Sequence, residues 1–120
     1  MEGKTIVVDK EISFLSSGVY YTISVREYKN KKLVKEEVIH KAKDLDYEQE
    51  QEFNKKYEEL IEKYDDELLS YYRERGYETT DLDSDGERKA IKNGEEVIIR
   101  EYEKNDYTTL KEEHTYFYFY

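Results

Sequence analysis

Between Phe53 and Tyr72 the apolar side chains fall at steps of three and four: Phe53, Tyr57, Leu60, Ile61, Tyr64, Leu68, Tyr71 and Tyr72. That spacing draws one stripe along an amphipathic helix, and no strand could keep these residues on one face. The stretches before and after it have period two, so the fold must seat one long helix against strands that flank it in sequence. Asp46 suits the N-cap, with Gln49 three residues on, and Gly76 suits the left-handed position beyond the C-terminus, after Arg73 and Arg75. At 1.5 Å per residue, Tyr47 to Arg75 would run roughly 43 Å against about 33 Å for a ten-residue strand, so one end is expected to overhang. The sparse end is "YEQEQE", where Tyr47 is the only apolar residue.

Before residue 44 the even positions Ile6, Val8, Ile12 and Phe14 share a face, as do the odd positions Val19, Tyr21, Ile23 and Val25. Ser16, Ser17 and Gly18 supply the turn between them, and Lys29, Asn30 and Lys31 the next. "KLVKEEVIHKA" then reads as an edge strand whose Lys and Glu discourage further pairing. After Gly76, turn signals stand at Asp85-Gly86, Asn93-Gly94 and Lys104-Asn105-Asp106, with clear strands in "EEVIIREYE" and "YTTLKEEHTYFYFY". Tyr77 to Asp83 and Glu87 to Ile91 read as weaker strands.

The expected fold is α+β. An antiparallel β-meander sheet of six to seven strands packs on, or wraps around, one long central helix, in the order β-β-β-α-β-β-β(-β). It forms a single domain over 1–120, with meanders at 1–43 and 77–120 and the helix at 46–75. "ISVREYKNKKLVKEE" at 23–37 is similar to "VIIREYEKNDYTTLKEE" at 97–113, which in a chain with 42% charged residues reads as chance rather than a repeat.

Val, Ile, Leu and Phe supply only 27 of the 120 residues, so the 14 tyrosines must help build the interior. The absence of cysteine excludes disulfides, thiolate metal sites and a cysteine nucleophile. The longest uncharged run, Ile12 to Val25, is too short and too polar to span a bilayer, and neither a signal peptide nor an anchor is expected in "MEGKTIVVDK", where charges flank a four-residue apolar run. A cytoplasmic protein without membrane contact or cofactor is expected. No Gly-x-Ser-x-Gly, His-Glu-x-x-His, Walker or dinucleotide-binding pattern occurs, so an enzyme is not expected.

The net charge is −10, yet residues 44–87 alone hold 17 acids and 5 bases. This concentration disfavours direct nucleic-acid binding, which needs clustered Lys and Arg, and favours a basic protein partner, itself nucleic-acid-binding. Asp44, Glu48 and Glu52 would share a helical face at four-residue spacing. Glu59, Glu62, Asp65 and Asp66 follow, and Asp81, Asp83 and Asp85 stand in the loop beyond Gly76. Together these carboxylates could imitate a row of phosphates, as expected of a phage or mobile-element inhibitor. "DLDSDGERKAIK" begins like a calcium loop, but its eighth and twelfth positions are Arg88 and Lys92 where an EF-hand needs a hydrophobic residue and a bidentate acid. A weak calcium site at Asp81, Asp83 and Asp85 competes with a plain Asp-Gly turn.

His40 and His114 both follow a "KEE" stretch late in a strand, where they could meet and, with Glu37 or Glu113, form a metal or acid–base site; ordinary surface positions are the plainer account. In "TYFYFY" the alternation turns Phe117 and Phe119 to the helix and Tyr116, Tyr118 and Tyr120 outward, joined by Tyr20, Tyr28 and Tyr102. Such an aromatic face suits a partner or a homodimer. On the helix, Tyr57, Tyr64 and Tyr71 recur every seven residues, either lining a polar pocket or straddling the edge of the stripe. The leading expectation is an acidic protein-binding module. Its rivals are a self-associating or designed scaffold and a weak calcium binder.

Overall fold

The computed structural model describes residues 3–120; of the expected 1–43 meander, residues 1 and 2 lie outside the described residues. Seven strands and one helix follow in the order β1 (Lys4–Leu15), β2 (Gly18–Lys29), β3 (Lys32–Lys43), α1 (Tyr47–Glu74), β4 (Glu78–Thr79), β5 (Arg88–Lys92), β6 (Glu95–Asp106) and β7 (Leu110–Phe119). They make one antiparallel sheet in the spatial order β3-β2-β1-β7-β6-β5-β4. Each meander contributes one half of it, and the pairing of β1 with β7 joins the halves. The chain leaves the first meander at one edge and enters the second at the other. The helix must therefore cross the sheet.

Local chemistry fixes both helix ends. The Asp46 carboxylate accepts the N–H of Gln49 at 2.9 Å, and the Gln49 side chain accepts the N–H of Asp46 at 3.1 Å, closing a capping box. At the other end Gly76 takes φ +83°, which an L side chain would resist. The two-residue turn between β2 and β3 is unusual in placing a non-glycine pair, Asn30 and Lys31, at φ 51° and 65°.

The helix's stripe and the sheet's inward rows make the core, with Ile6, Val8, Ile23, Phe53, Leu68, Ile99, Phe117 and Phe119 all buried. The Phe53 ring meets Tyr21 edge-on at 5.3 Å, and Tyr71 meets Phe119 in the same way at 5.2 Å. Two helix tyrosines also tie down the last strand. The Tyr72 hydroxyl donates to the Tyr118 carbonyl at 2.6 Å and accepts the Tyr120 N–H at 3.1 Å, while the Tyr71 hydroxyl donates to the Tyr120 carbonyl.

Two expectations need correction. The Lys104-Asn105-Asp106 signal lies inside β6, and the turn falls at 107–109, where the Tyr107 N–H donates to the Leu110 carbonyl at 2.8 Å. β1 and β2 run to 12 residues, about 40 Å, so they match the 28-residue helix at about 42 Å and take up the expected difference in length. The segments 23–37 and 97–113 are both hairpins, but their shared arginines part company. Arg26 pairs across from outward Val7, whereas a bulge in β6 buries Arg100 beside Ile99. Among the described residues no helix is long and apolar enough to cross a membrane.

Candidate functional site

Helical periodicity that buries the stripe exposes the acids. Glu48, Glu52, Glu59, Glu62 and Asp66 all lie at the surface, interrupted by Lys55, Lys56 and Lys63. Beside them stands the β4–β5 connection with exposed Asp81, Asp83 and Asp85. This loop is folded on itself. The Asp83 carboxylate accepts the N–H groups of Asp85 and Glu87, both at 2.9 Å, and the Asp83 carbonyl accepts from Gly86 at 3.1 Å.

The loop is also fastened to the helix. Arg88 donates from Nε and Nη2 to the two carboxylate oxygens of Asp65, at 3.1 and 2.8 Å, and from Nη1 to the Thr80 carbonyl. Arg100 comes from the neighbouring strand and places Nη1 3.0 Å from the same carboxylate. Leu82 of the loop shares a cavity of about 330 Å³ with Glu58, Ile61 and Glu62 of the helix. The aspartate loop thus abuts the helix at Glu58, Glu62 and Asp65.

Two of the expected surface acids have other work. Asp65, half-buried and bonded to two buried arginines, is an internal counterion rather than a docking group. Asp44 precedes the helix in a left-handed conformation, φ 51°, and its carboxylate accepts the Val19 N–H at 2.8 Å. It closes the end of β2 and β3, so the row Asp44, Glu48, Glu52 loses its first member. As for calcium, Asp83 already uses its carboxylate on the backbone, and among the described residues no group of three His, Asp or Glu side chains is arranged to hold a metal ion.

The sheet's other side carries no helix. Here Tyr116, Tyr118 and Tyr120 stack along β7 with ring centroids 6.3 and 5.9 Å apart, as the alternation predicts. With Val7, Arg26 and Tyr28 they line a groove of about 540 Å³. The Tyr118 hydroxyl donates to Glu101 at 2.6 Å; burial, then this bond, raises its pKa above the ordinary tyrosine value. Tyr102 does not join them. It lies on the helix side, donating at 2.6 Å to Glu113, with its pKa raised by burial and by that bond. Burial would raise the Glu113 pKa, but Lys10, at 2.8 Å, and Tyr102 bring it below the usual value.

The histidines are kept apart. His40 lies on the helix side, its ring 5.9 Å from that of Phe53, while His114 is buried on the outer side against Asp9. Asp9 in turn accepts from Arg26 at 2.7 and 3.1 Å, and His114 Nε2 lies 3.5 Å from Glu112. The bond to Asp9 raises the Arg26 pKa further. Nothing in the local pattern signals this chain, beyond a charged Asp9 set among the apolar residues of a central strand, or the Arg88–Asp65–Arg100 cluster. Comparison with family models, with curated proteins and with solved structures found no match.

Proposed function

We propose that the chain is a non-enzymatic, acidic protein-binding module of the cytoplasm, docking on a basic protein through its helix acids and aspartate loop. The observation that carries this reading is the Arg88–Asp65 link, which fastens the loop bearing Asp81, Asp83 and Asp85 to the helix, where Leu82 lines a cavity with Glu58 and Glu62. Acids on the helix step by about 4.5 to 6 Å at three- and four-residue intervals, giving a regular line of charge that a phosphate-binding surface could accept. An inhibitor of a nucleic-acid-handling enzyme, as phages and mobile elements encode, is the use such a line suits best. The test is a titration of captured partner with salt and with competing DNA or RNA. Binding should weaken as salt rises, be displaced by nucleic acid, and fall when Glu59, Glu62 and Asp66 become Gln or Asn. Binding indifferent to all three would sink the reading.

A second reading rests on the stacked tyrosines of the uncovered face, which would serve self-association in a structural scaffold. It predicts that Tyr116→Ser with Tyr118→Thr lowers the solution mass measured by light scattering. An unchanged monomer mass in both proteins would reject it.

A further inference from the structure

The cavity between helix and aspartate loop has a layout that names its occupant. Its walls are apolar side chains, Ile61 from the helix and Leu82 from the loop, together with the rings of Tyr57 and Tyr102. Glu58 and Glu62 also line it, exposed and one helical turn apart, and among the described residues neither carboxylate has an ion-pair partner. The remaining charges around it, Asp65 with Arg88 and Arg100, are engaged with one another. Three carboxylates therefore face two guanidinium groups, and the site is one cation short of balance.

We propose that this cavity receives an arginine side chain of the basic partner, its methylenes against Ile61 and Leu82 and its guanidinium spanning Glu58 and Glu62. The inference rests on the docking reading above and supplies its anchor residue. A carboxylate pair about 6 Å apart along a helix suits a planar fork better than a point charge, and flanking tyrosine rings favour guanidinium over ammonium. Arginine is also the charged side chain most often found at the energetic centre of interfaces. Asp65 offsets one of the Arg88 and Arg100 charges at the floor, and the carboxylates of Glu58 and Glu62 outweigh the one that remains.

The test uses the full chain with a capped oligo-arginine peptide and its oligo-lysine counterpart, followed by titration calorimetry and amide NMR spectra. Leu82, 42% exposed, tolerates replacement, so Leu82→Trp fills the cavity and leaves every charge in place; thermal unfolding confirms that the variant folds. Tighter binding of arginine than lysine is expected. A loss of about tenfold or more is expected in Leu82→Trp and in Glu58→Gln with Glu62→Gln, against a small change in Glu48→Gln with Glu52→Gln. Arginine binding that survives both cavity variants, with shifts around Glu48 and Glu52, overturns the cavity and leaves the acidic module standing. No binding of either peptide removes the module and the cavity together.

Discussion

Replacing Asp65 by Asn should unfold the protein more readily than any other change at an acidic residue of the helix. Its carboxylate answers two guanidinium groups, Arg88 and Arg100, each only 9% exposed, with three nitrogen–oxygen approaches between 2.8 and 3.1 Å. Removing one partner of a buried ion pair costs about 3–5 kcal/mol, because the remaining charge stays desolvated. A chain of this length has a stability of roughly 6–18 kcal/mol, so the loss takes a sizeable share. Urea unfolding would show a lowered midpoint at unchanged slope. Asp66→Asn, an exposed neighbour, should stay within about 0.5 kcal/mol of the parent. Replacing all three residues by Leu, Met and Met should recover most of the loss, since the buried charge leaves with its counterion. An Asp65→Asn protein within about 1 kcal/mol of the parent would refute the argument. The result also bears on function, because a binding defect in an Asp65 variant would report unfolding and not docking.

Tyr72→Phe should cost about 1–3 kcal/mol, since it strands the Tyr118 carbonyl and the Tyr120 N–H that the hydroxyl now serves, and urea unfolding measures it. Burial pushes the pKa of both Tyr57 and Tyr72 up to about 12, so each favours the folded state fully below its unfolded value near 10. That contribution is lost as pH rises from about 10 to 12; tyrosinate absorbance should lag the exposed tyrosines, and Tyr57→Phe should flatten the decline in stability. Calcium should leave the melting temperature unchanged, and a rise that disappears in Asp83→Ala would reinstate the aspartate loop as a metal site.

Period alone made the fold legible. The change from alternation to three-and-four spacing located α1, the Asp46 and Gln49 letters located its cap, and alternation in "TYFYFY" separated phenylalanines from tyrosines. What escaped was everything that depends on two strands distant in sequence. His114 meets Asp9 because β7 pairs with β1, and no local pattern says which strands will be neighbours. Arg100 is inward only because a bulge adds Ile99 opposite the Arg88–Lys89 step, shifting the parity by one. Asp65 is surface-like by composition and internal by position, since its partners arrive from β5 and β6. Tyr102, two residues beyond Arg100, lies on the helix side and not outward for the same reason.

The two faces differ in what they leave unanswered, and that difference favours the acidic one for docking. A sheet covered on one side must make its other side bearable to water without a second layer. Here Val7, in an outward row, is buried between the register partners Arg26 and Tyr116. Asp9 holds Arg26 and His114, and Glu101 holds Tyr118, so the polar groups of that face largely satisfy one another. A partner arriving there would find aromatic surface but few free charges. On the helix side, Glu48, Glu52, Glu59 and Glu62 have no ion-pair partner among the described residues, although Lys55, Lys56 and Lys63 stand on the same helix. Like charges left in this state repel one another and cost stability, a few tenths of a kcal/mol per pair at four-residue spacing. A cationic partner relieves that repulsion, which makes its binding steeply sensitive to salt, while self-association through the tyrosines would be nearly indifferent to it.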